Sequence, residues 1–168
     1  MTRSRLGHTW QSFVLCLVLS SHLAGADASA PASSMELPTL DGAAFVRLAD
    51  FHGRPVLINF WASECPPCLK EMPLLATLAQ QYGSTQFLGV AVDERANALR
   101  FLAAHPPSYP QLIAPAQPAA LLRRFGNKAG VLPFTVVLDA QHRICQSQVG
   151  EISRAWFDAA ASACAIHP

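Results

Sequence analysis

An apolar segment that runs into two closely spaced cysteines constrains this chain more than any other feature. Val56–Trp61 is apolar at almost every position, which is typical of a central strand covered by helices on both faces. Cys65 and Cys68 follow three positions apart. The prolines between them, Pro66 and Pro67, suit the first turn of a helix, where no backbone hydrogen bond is lost. Because a helix N-terminus stabilises a thiolate, this segment predicts a redox site in which Cys65 attacks and Cys68 resolves.

Length and charge limit the kind of partner. The chain has 168 residues, of which 51% are hydrophobic, so we expect one folded domain with a real core. Its 12 basic and 11 acidic residues nearly cancel, and the basic residues form no cluster, which argues against nucleic acid as a partner. Small molecules and proteins remain as candidate partners, and we expect a monomer.

The N-terminal stretch has the pattern of a secretory signal peptide. Arg3 and Arg5 precede a short apolar run at residues 13–19, and small residues then lead to an expected cleavage site after residue 26, 28 or 30. An uncleaved membrane anchor is the alternative, although the run is short for a membrane span. Cleavage after residue 26 would leave a flexible lead, residues 27–34, and a domain, residues 35–168, in the periplasm.

Export bears on how the cysteines are interpreted. Cleavage leaves an even number, and disulfides persist in an oxidising compartment. A zinc site would need two further ligands, and the chain has neither a second Cys-x-x-Cys nor a closely spaced histidine pair, so we expect no metal and no other cofactor. The histidines of the domain are interpreted as surface residues: His52, His105, His142 and His167.

Alternating strand and helix patterns predict an α/β domain with a parallel βαβ core. The expected elements are a hairpin within residues 35–48, a strand at 56–61, a helix at 66–82, a strand at 86–92, a helix at 93–104, a proline-rich loop at 105–118 with a brief edge strand at 111–113, a helix at 119–125, a hairpin ending in a strand at 143–149, and a helix at 153–165. The inner faces are expected to hold Ala96, Leu99, Phe101 and Leu102 in the second helix, and Trp156, Phe157 and Ala160 in the last. Ser153 is the expected N-cap of the last helix.

Four short motifs are highly specific in combination. They are Leu40-Asp41-Gly42, residues 56–63, Cys65-Pro66-Pro67-Cys68 with Glu71-Met72-Pro73 after it, and Leu132-Pro133-Phe134-Thr135. This set resembles the thioredoxin-like thiol-disulfide proteins of the bacterial periplasm, of the TlpA and ResA kind. The resemblance covers most of the predicted domain and implies a thioredoxin fold, with a central mixed sheet flanked by helices and an N-terminal β-hairpin.

The resemblance also implies roles for residues around the cysteines. A cis peptide before Pro133 would bring this turn to the cysteine pair, where the backbone of Leu132 can pair with a substrate strand. A trans proline that opens an edge strand is the alternative. The expected substrate contacts are Trp61, Glu64, Pro66, Pro67 and Leu132.

The acid that moves a proton is expected at Glu71. Asn59 stands where thioredoxin has a buried aspartate, and an amide cannot transfer a proton in its place. Periplasmic relatives often move the acid, and Glu71, three residues after Cys68 on the same helical face, matches their acidic position. A solvated helix residue is the alternative for Glu71.

Glu64 departs from the pattern, because relatives usually have a tryptophan beside the first cysteine. Carboxylates at Glu64 and Glu71 should destabilise a thiolate, which favours a reductant. We therefore expect a protein-disulfide reductase that exchanges disulfides with protein substrates, is kept reduced by a membrane electron donor, and has cytochrome c maturation as one family role.

Two other functions remain as alternatives. A thiol peroxidase is disfavoured because no Pro-x-x-x-Thr motif precedes Cys65. A copper metallochaperone of related fold is disfavoured because its cysteines are spaced further apart than Cys65 and Cys68.

Cys145 and Cys164 need a separate explanation. Cys145 is expected on the last strand and Cys164 at the far end of the last helix. About five strand residues span the same height as about eleven helix residues, so the two can meet if the helix packs back over the strand. A structural disulfide is therefore feasible, with two buried free thiols as the alternative.

Overall fold

The computed structural model describes residues 34–168 and is built around a five-stranded mixed sheet. Its strands are β3 (Val56–Trp61), β4 (Gln86–Ala91), β5 (Gln111–Ile113), β6 (Phe134–Leu138) and β7 (Ile144–Val149), in the spatial order β5-β4-β3-β6-β7. β3, β4 and β5 run parallel, whereas β6 is antiparallel to both β3 and β7. Every residue of β3 is buried, as its largely apolar sequence predicts.

Among residues 34–168, four α-helices accompany the sheet: α1 (Pro66–Gln81), α2 (Arg95–Ala104), α3 (Ala119–Arg124) and α4 (Arg154–Ala163). Side chains of β3 alternate between two apolar clusters, because successive strand residues point to opposite faces. Val56, Ile58 and Phe60 pack in a cluster that includes α3 residues, and Leu57 packs in one that includes residues of α1 and α4. Within the described part of the chain, no helix combines the length and apolar composition that crossing a membrane requires.

The predicted N-terminal hairpin consists of β1 (Glu36–Pro38) and β2 (Phe45–Arg47), which pair antiparallel. Gly42 lies in the turn between them with a φ of 78°, a conformation that glycine adopts at little cost. The N–H of Leu40 donates to the carbonyl of Gln111 at 2.8 Å, which ties the hairpin to the edge strand β5. The predicted signal peptide, residues 1–26, lies outside the described residues and stays a prediction.

The inner face of α2 differs from the prediction. Ala96 and Leu99 are exposed, whereas Ala98 is fully buried and Phe101 and Leu102 pack beside the cluster that holds it. Positions 98, 101 and 102 have the spacing of one helical face, so the prediction placed the N-terminal part of this face on the wrong residues. In α4 the predicted face and cap are present: Phe157 and Ala160 are buried, Trp156 is half-buried, and the Ser153 hydroxyl accepts a hydrogen bond from the Trp156 N–H.

The assignment of His142 to the surface is wrong. Its side chain is buried, and its ring lies edge-on to the ring of His52, with the centroids 5.8 Å apart. His142 ends the turn between β6 and β7 with a φ of 59°, and its N–H donates to the carbonyl of Asp139. A position in a connecting turn suggested exposure, but the tertiary contact with His52 covers this ring.

Candidate active site

The two cysteines of the predicted redox pair are joined by a disulfide at the start of α1. Cys65 is the N-cap of this helix, and its Cα lies 5.3 Å from that of Cys68. The Cys68 N–H donates to Cys65 Sγ at 3.3 Å, so a backbone donor at the helix N-terminus faces the first sulfur. Cys65 is half-buried, whereas Cys68 is fully buried. A partner molecule can therefore reach Cys65 but not Cys68.

Asp93 anchors the loop that carries Cys65. Its Oδ2 accepts hydrogen bonds from the N–H and the hydroxyl of Ser63, at 2.7 and 2.5 Å. Its Oδ1 accepts from the N–H of Glu94 at 2.7 Å, so the carboxylate joins this loop to the start of α2. Burial acts to raise the pKa of Asp93, but the hydrogen bonds from Ser63 and Glu94 bring it below its ordinary value. Our sequence analysis missed Asp93, although the carboxyl end of β4 beside β3 is where such a residue is expected.

Glu71 lies inside the protein, so the alternative of a solvated side chain is wrong. Its side chain is 1% exposed. Oε1 accepts a hydrogen bond from Asn59 Nδ2 at 2.6 Å, and Oε2 accepts one from the N–H of Ile152 at 2.8 Å. Burial raises the pKa of Glu71 to about 7 and the charge of Glu151 adds to this effect, while the hydrogen bonds from Ile152 and Asn59 oppose it. The site therefore has a buried acid that changes protonation near neutral pH.

Asn59 connects this acid to the strand that follows the predicted cis proline. It is fully buried in β3, and its Nδ2 also donates to the hydroxyl oxygen of Thr135 at 3.0 Å. Its Oδ1 is buried and has no hydrogen-bond partner among residues 34–168. Our sequence analysis treated Asn59 only as a lost acid. Asn59 was predicted in a central strand and Glu71 in the helix that follows it. Because that helix packs against the strand, a contact between the two residues could have been predicted from the sequence.

The Leu132–Pro133 peptide is cis, as the resemblance implies. Pro133 is buried and its carbonyl accepts a hydrogen bond from the Gly150 N–H at 2.8 Å. Leu132 is half-buried and packs against the apolar cluster that contains Cys68, as Cys65 does. The turn before β6 and the cysteine pair are thus parts of one site.

Comparisons with known proteins agree with this architecture. A model of the redoxin family matches residues 25–162. The chain belongs to the redoxin family. A thioredoxin-related protein from Neisseria meningitidis serogroup B is 34% identical to this redoxin, and its crystal structure has a TM-score of 0.65 over 76% of this chain and 98% of that chain. The predicted thioredoxin fold is confirmed.

Two further relatives are named for thiol-disulfide chemistry. The thiol-disulfide oxidoreductase ResA of Bacillus thuringiensis strain Al Hakam is 28% identical over 109 residues, which are 63% of this redoxin and 61% of ResA. A secreted thiol-disulfide isomerase from Corynebacterium glutamicum is 26% identical, with a TM-score of 0.67 over 78% of this redoxin and 81% of that chain. The predicted likeness to ResA-type proteins is confirmed, over less than two thirds of the length of ResA.

Trp61 has a different place from the one predicted. We expected it to contact substrate, but its side chain is fully buried in this redoxin, because β3 is covered on both faces. Its Nε1 donates to Gln111 Oε1 at 2.9 Å, and its ring packs in the same cluster as Cys68. Trp61 therefore belongs to the buried apolar cluster against which the cysteine pair packs. Among the other predicted substrate contacts, Glu64 and Pro66 are exposed and Pro67 is half-buried.

The remaining two cysteines form a second disulfide. Cys145 in β7 and Cys164, the C-cap of α4, are bonded, with their Cα atoms 5.7 Å apart. Cys145 is half-buried and Cys164 is buried. The bond joins the far end of α4 to β7, so the helix packs back over the strand, as the predicted disulfide requires.

Proposed function

We propose that this redoxin is a thiol-disulfide oxidoreductase that reduces disulfides of protein substrates in the bacterial periplasm. One observation carries the proposal: a half-buried Cys65 is bonded to a buried Cys68, with the buried acid Glu71 one helical turn beyond. An accessible sulfur can attack, a shielded sulfur can resolve, and a nearby acid can manage the proton.

The reaction proceeds through a mixed disulfide. The Cys65 thiolate attacks one sulfur of the substrate disulfide, that bond breaks, and the other substrate sulfur leaves as a thiolate that takes a proton from water. Glu71 then accepts the proton of the Cys68 thiol, Cys68 Sγ attacks Cys65 Sγ, and the bond between Cys65 and the substrate breaks. The second substrate sulfur leaves as a thiolate that also takes a proton from water. Two electrons have then passed to the substrate, which leaves as a dithiol, and the Cys65–Cys68 disulfide remains.

The ordinary pKa of a carboxyl group would leave Glu71 ionised throughout the physiological range. Its value of about 7 means that both protonation states are populated near neutral pH. Glu71 can therefore accept the Cys68 proton in the reductive direction and return it when a membrane electron donor of the thiol-disulfide relay type restores the dithiol.

Substrate binding is assigned to the surface around Cys65. The backbone of Leu132 would pair with an extended substrate segment, and cis Pro133 sets the path of the chain beneath it. Glu64, Pro66 and Pro67 border Cys65 in sequence and have accessible surface. A glutamate in place of the tryptophan usual beside the first cysteine favours a different set of protein partners from those of typical relatives.

The proposed direction follows from charge. The carboxylates of Glu64 and, when ionised, Glu71 disfavour a negative charge on the nearby sulfurs. The thiolate of the reduced pair is therefore poorly stabilised, and the pair gives up its electrons readily. The predicted signal peptide and the name of the secreted Corynebacterium relative support a location outside the cytoplasm. Likeness to ResA-type proteins supports cytochrome c maturation as the pathway served.

Insulin reduction with a dithiol as the electron source tests the proposal. Wild type should reduce insulin, Cys65→Ser should be inactive, and Cys68→Ser should accumulate a mixed disulfide at Cys65 that mass spectrometry detects. The Cys145→Ala/Cys164→Ala variant is the matched control and should stay active. Full activity of Cys65→Ser, or peroxide consumption or stoichiometric copper binding that depends on Cys65 in place of insulin reduction, would refute the proposal.

The reduction potential of the Cys65–Cys68 pair tests the direction separately. We expect a value in the reducing range near that of thioredoxin, about −270 mV, and a less negative value for Glu71→Gln. A wild-type potential near about −120 mV, typical of strongly oxidising periplasmic proteins, would reverse the proposed direction.

A further inference from the structure

The side-chain amide of Asn59 has an unbalanced set of hydrogen bonds. Both of its N–H groups have partners, because Nδ2 donates to Glu71 Oε1 at 2.6 Å and to Thr135 Oγ1 at 3.0 Å. Its Oδ1, in contrast, is buried without a partner in the described chain. A buried amide oxygen without a donor is destabilising, so the orientation of this amide is set by Glu71 and Thr135 on its other side.

The groups that hydrogen-bond Glu71 suit only one of its two protonation states. Asn59 Nδ2 and the Ile152 N–H are both donors, and an ionised carboxylate accepts from both. A protonated carboxyl group must instead donate through its O–H, and neither of these groups can accept. With a pKa of about 7, Glu71 occupies the protonated state for much of its time at neutral pH. In that state it needs an acceptor that the present orientation of Asn59 does not provide.

A half-turn of the amide supplies that acceptor. Oδ1 and Nδ2 have nearly the same size, so exchanging them requires little change in packing. Oδ1 would then face Glu71 and accept its O–H, and the Thr135 hydroxyl, which can donate as well as accept, would donate to the same oxygen. Each orientation keeps two hydrogen bonds to the amide, and neither changes the β3 backbone. In the reversed orientation Nδ2 takes the buried position of Oδ1, which has no partner among the described residues in either state.

We propose that Asn59 is the positioning residue of Glu71 and that its amide reverses when Glu71 gains a proton. One side chain then hydrogen-bonds both states of the acid. Asn59 itself takes up no proton; it positions the carboxyl group that does. The role in catalysis rests on the proposed function. The reversal itself concerns only the protonation of Glu71 and occurs in the oxidised protein too.

Other polar groups also face Glu71, from several elements. Glu151 precedes Ile152 in the connection between β7 and α4, and its charge opposes ionisation of Glu71. Burial raises the pKa of Tyr109, which precedes β5, so this phenol stays neutral near pH 7. Cys68 lies on α1 itself and does not titrate while bonded to Cys65. Glu71 is therefore the group whose titration should reverse the Asn59 side-chain amide near neutral pH.

Side-chain amide NMR of the oxidised protein tests the reversal. Between pH 5.5 and pH 8.5, the Asn59 Nδ2 resonances should shift with the same midpoint as the Glu71 carboxyl carbon. Both assignments can be verified by loss of the signal in Asn59→Leu and Glu71→Gln. Asn59 resonances that stay constant while the Glu71 carbon titrates would overturn the proposal.

Glu71→Gln provides a fixed reference for the reversed state. The Ile152 N–H needs an acceptor, so the introduced amide should turn its oxygen toward Ile152 and its NH₂ group toward Asn59. Asn59 must then present Oδ1, and its resonances should match the low-pH wild-type values at every pH. If the Asn59 resonances of the Glu71→Gln variant match the high-pH wild-type values, they contradict the proposal.

A pH profile separates positioning from a merely structural role. In Asn59→Leu, Glu71 loses its Asn59 hydrogen bond in both protonation states. Because the bond to the ionised carboxylate is the stronger of the two, the midpoint of the carboxyl titration should rise, by up to about one pH unit. Thr135→Val is the control, because it leaves the Asn59–Glu71 bond in place and should shift the midpoint much less. Insulin reduction reports on the proposed function independently: its absence with amide reversal intact would refute only that function, whereas activity without reversal would refute only this inference.

Discussion

The backbone N–H of Ile152 donates a 2.8 Å hydrogen bond to Glu71 Oε2, across a separation of 81 residues. Ile152 lies between β7 and α4, and the Cys145–Cys164 disulfide closes the loop that contains it. The acid on the first helix is thus held by the last part of the chain. The position of α4 therefore influences the hydrogen bonding of Glu71, the acid proposed to accept the Cys68 proton.

The raised pKa of Glu71 predicts a stability that falls as pH rises. Its pKa is about 7 in the folded protein against an ordinary value of 4.5, so the folded state binds more protons between these values. The contribution is fully present below about pH 4.5 and is lost as pH rises through about 7, up to about 3 kcal/mol in the free energy of unfolding. Urea unfolding of the oxidised protein at pH 5 and pH 8 measures it.

The matched variants isolate Glu71 in this experiment. Glu71→Gln should lose most of the pH dependence and gain stability relative to wild type at pH 8. Glu36→Gln, at an exposed acid in β1, should keep it. Equal pH dependence in wild type and Glu71→Gln would show that Glu71 does not have the raised pKa.

The second disulfide should be a major source of stability. The sequence separation between Cys145 and Cys164 is 19, and a bond across a loop of this size stabilises a protein by about 3 kcal/mol, through restriction of the unfolded chain. Cys145→Ala/Cys164→Ala should therefore lose about that much free energy of unfolding in urea. As a check, a dithiol reductant should destabilise Cys65→Ala/Cys68→Ala by a similar amount. A loss below about 1 kcal/mol in both measurements would argue against a stabilising bond.

Gly89 leaves the space that the Gln111 side chain occupies. A Cβ at position 89 would lie 2.0 Å from Gln111 Oε1, the atom that accepts the hydrogen bond from Trp61 Nε1. Gly89→Ala should push this amide aside and leave a buried indole N–H without a partner, at a cost of about 1 to 3 kcal/mol in the free energy of unfolding. Thermal or urea unfolding of the oxidised protein measures the loss.

Two further variants make the Gly89 prediction specific. Gly83→Ala is the control, because a Cβ at position 83 meets no atom within 4 Å, and its effect should be small. Adding Gln111→Ala to Gly89→Ala should cost less than the sum of the two single changes, since the clash is already removed. Strict additivity would mean that the two residues do not compete for this space.

Local patterns predicted most of the fold. β3 has the predicted bounds, Val56–Trp61, because six consecutive buried positions leave a clear apolar signal. The edge strand β5 also has its predicted bounds, Gln111–Ile113, since prolines on either side limit its length. Spacing within one helix was enough to place Cys65 and Cys68 at the start of α1.

Contacts between distant segments were harder to predict. The burial of Glu71 depends on Ile152, and the loop before Cys65 depends on Asp93, 30 residues after Ser63. An acidic residue in a helix has the same local pattern whether it is solvated or covered by another element. Trp61 shows the opposite error: a large aromatic residue near a redox site suggested substrate contact, but strands on both sides of β3 and clusters on both faces leave no surface for it.

Ala165 adopts a conformation that favours glycine, which predicts a stabilising substitution. It follows the C-cap of α4 with a φ of 52°, and the Ile166 N–H donates to the Ala161 carbonyl at 2.9 Å, a helix ending in which glycine is the usual residue. Removing the Cβ relieves about 1 kcal/mol of backbone strain, partly offset by the greater freedom of glycine in the unfolded chain. Ala165→Gly should therefore raise the free energy of unfolding by about 0.5 kcal/mol in urea. Gly126→Ala, at a φ of 101° with no atom near its Cβ position, is the reciprocal test and should be destabilising, and a lower stability for Ala165→Gly would contradict the strain at this helix end.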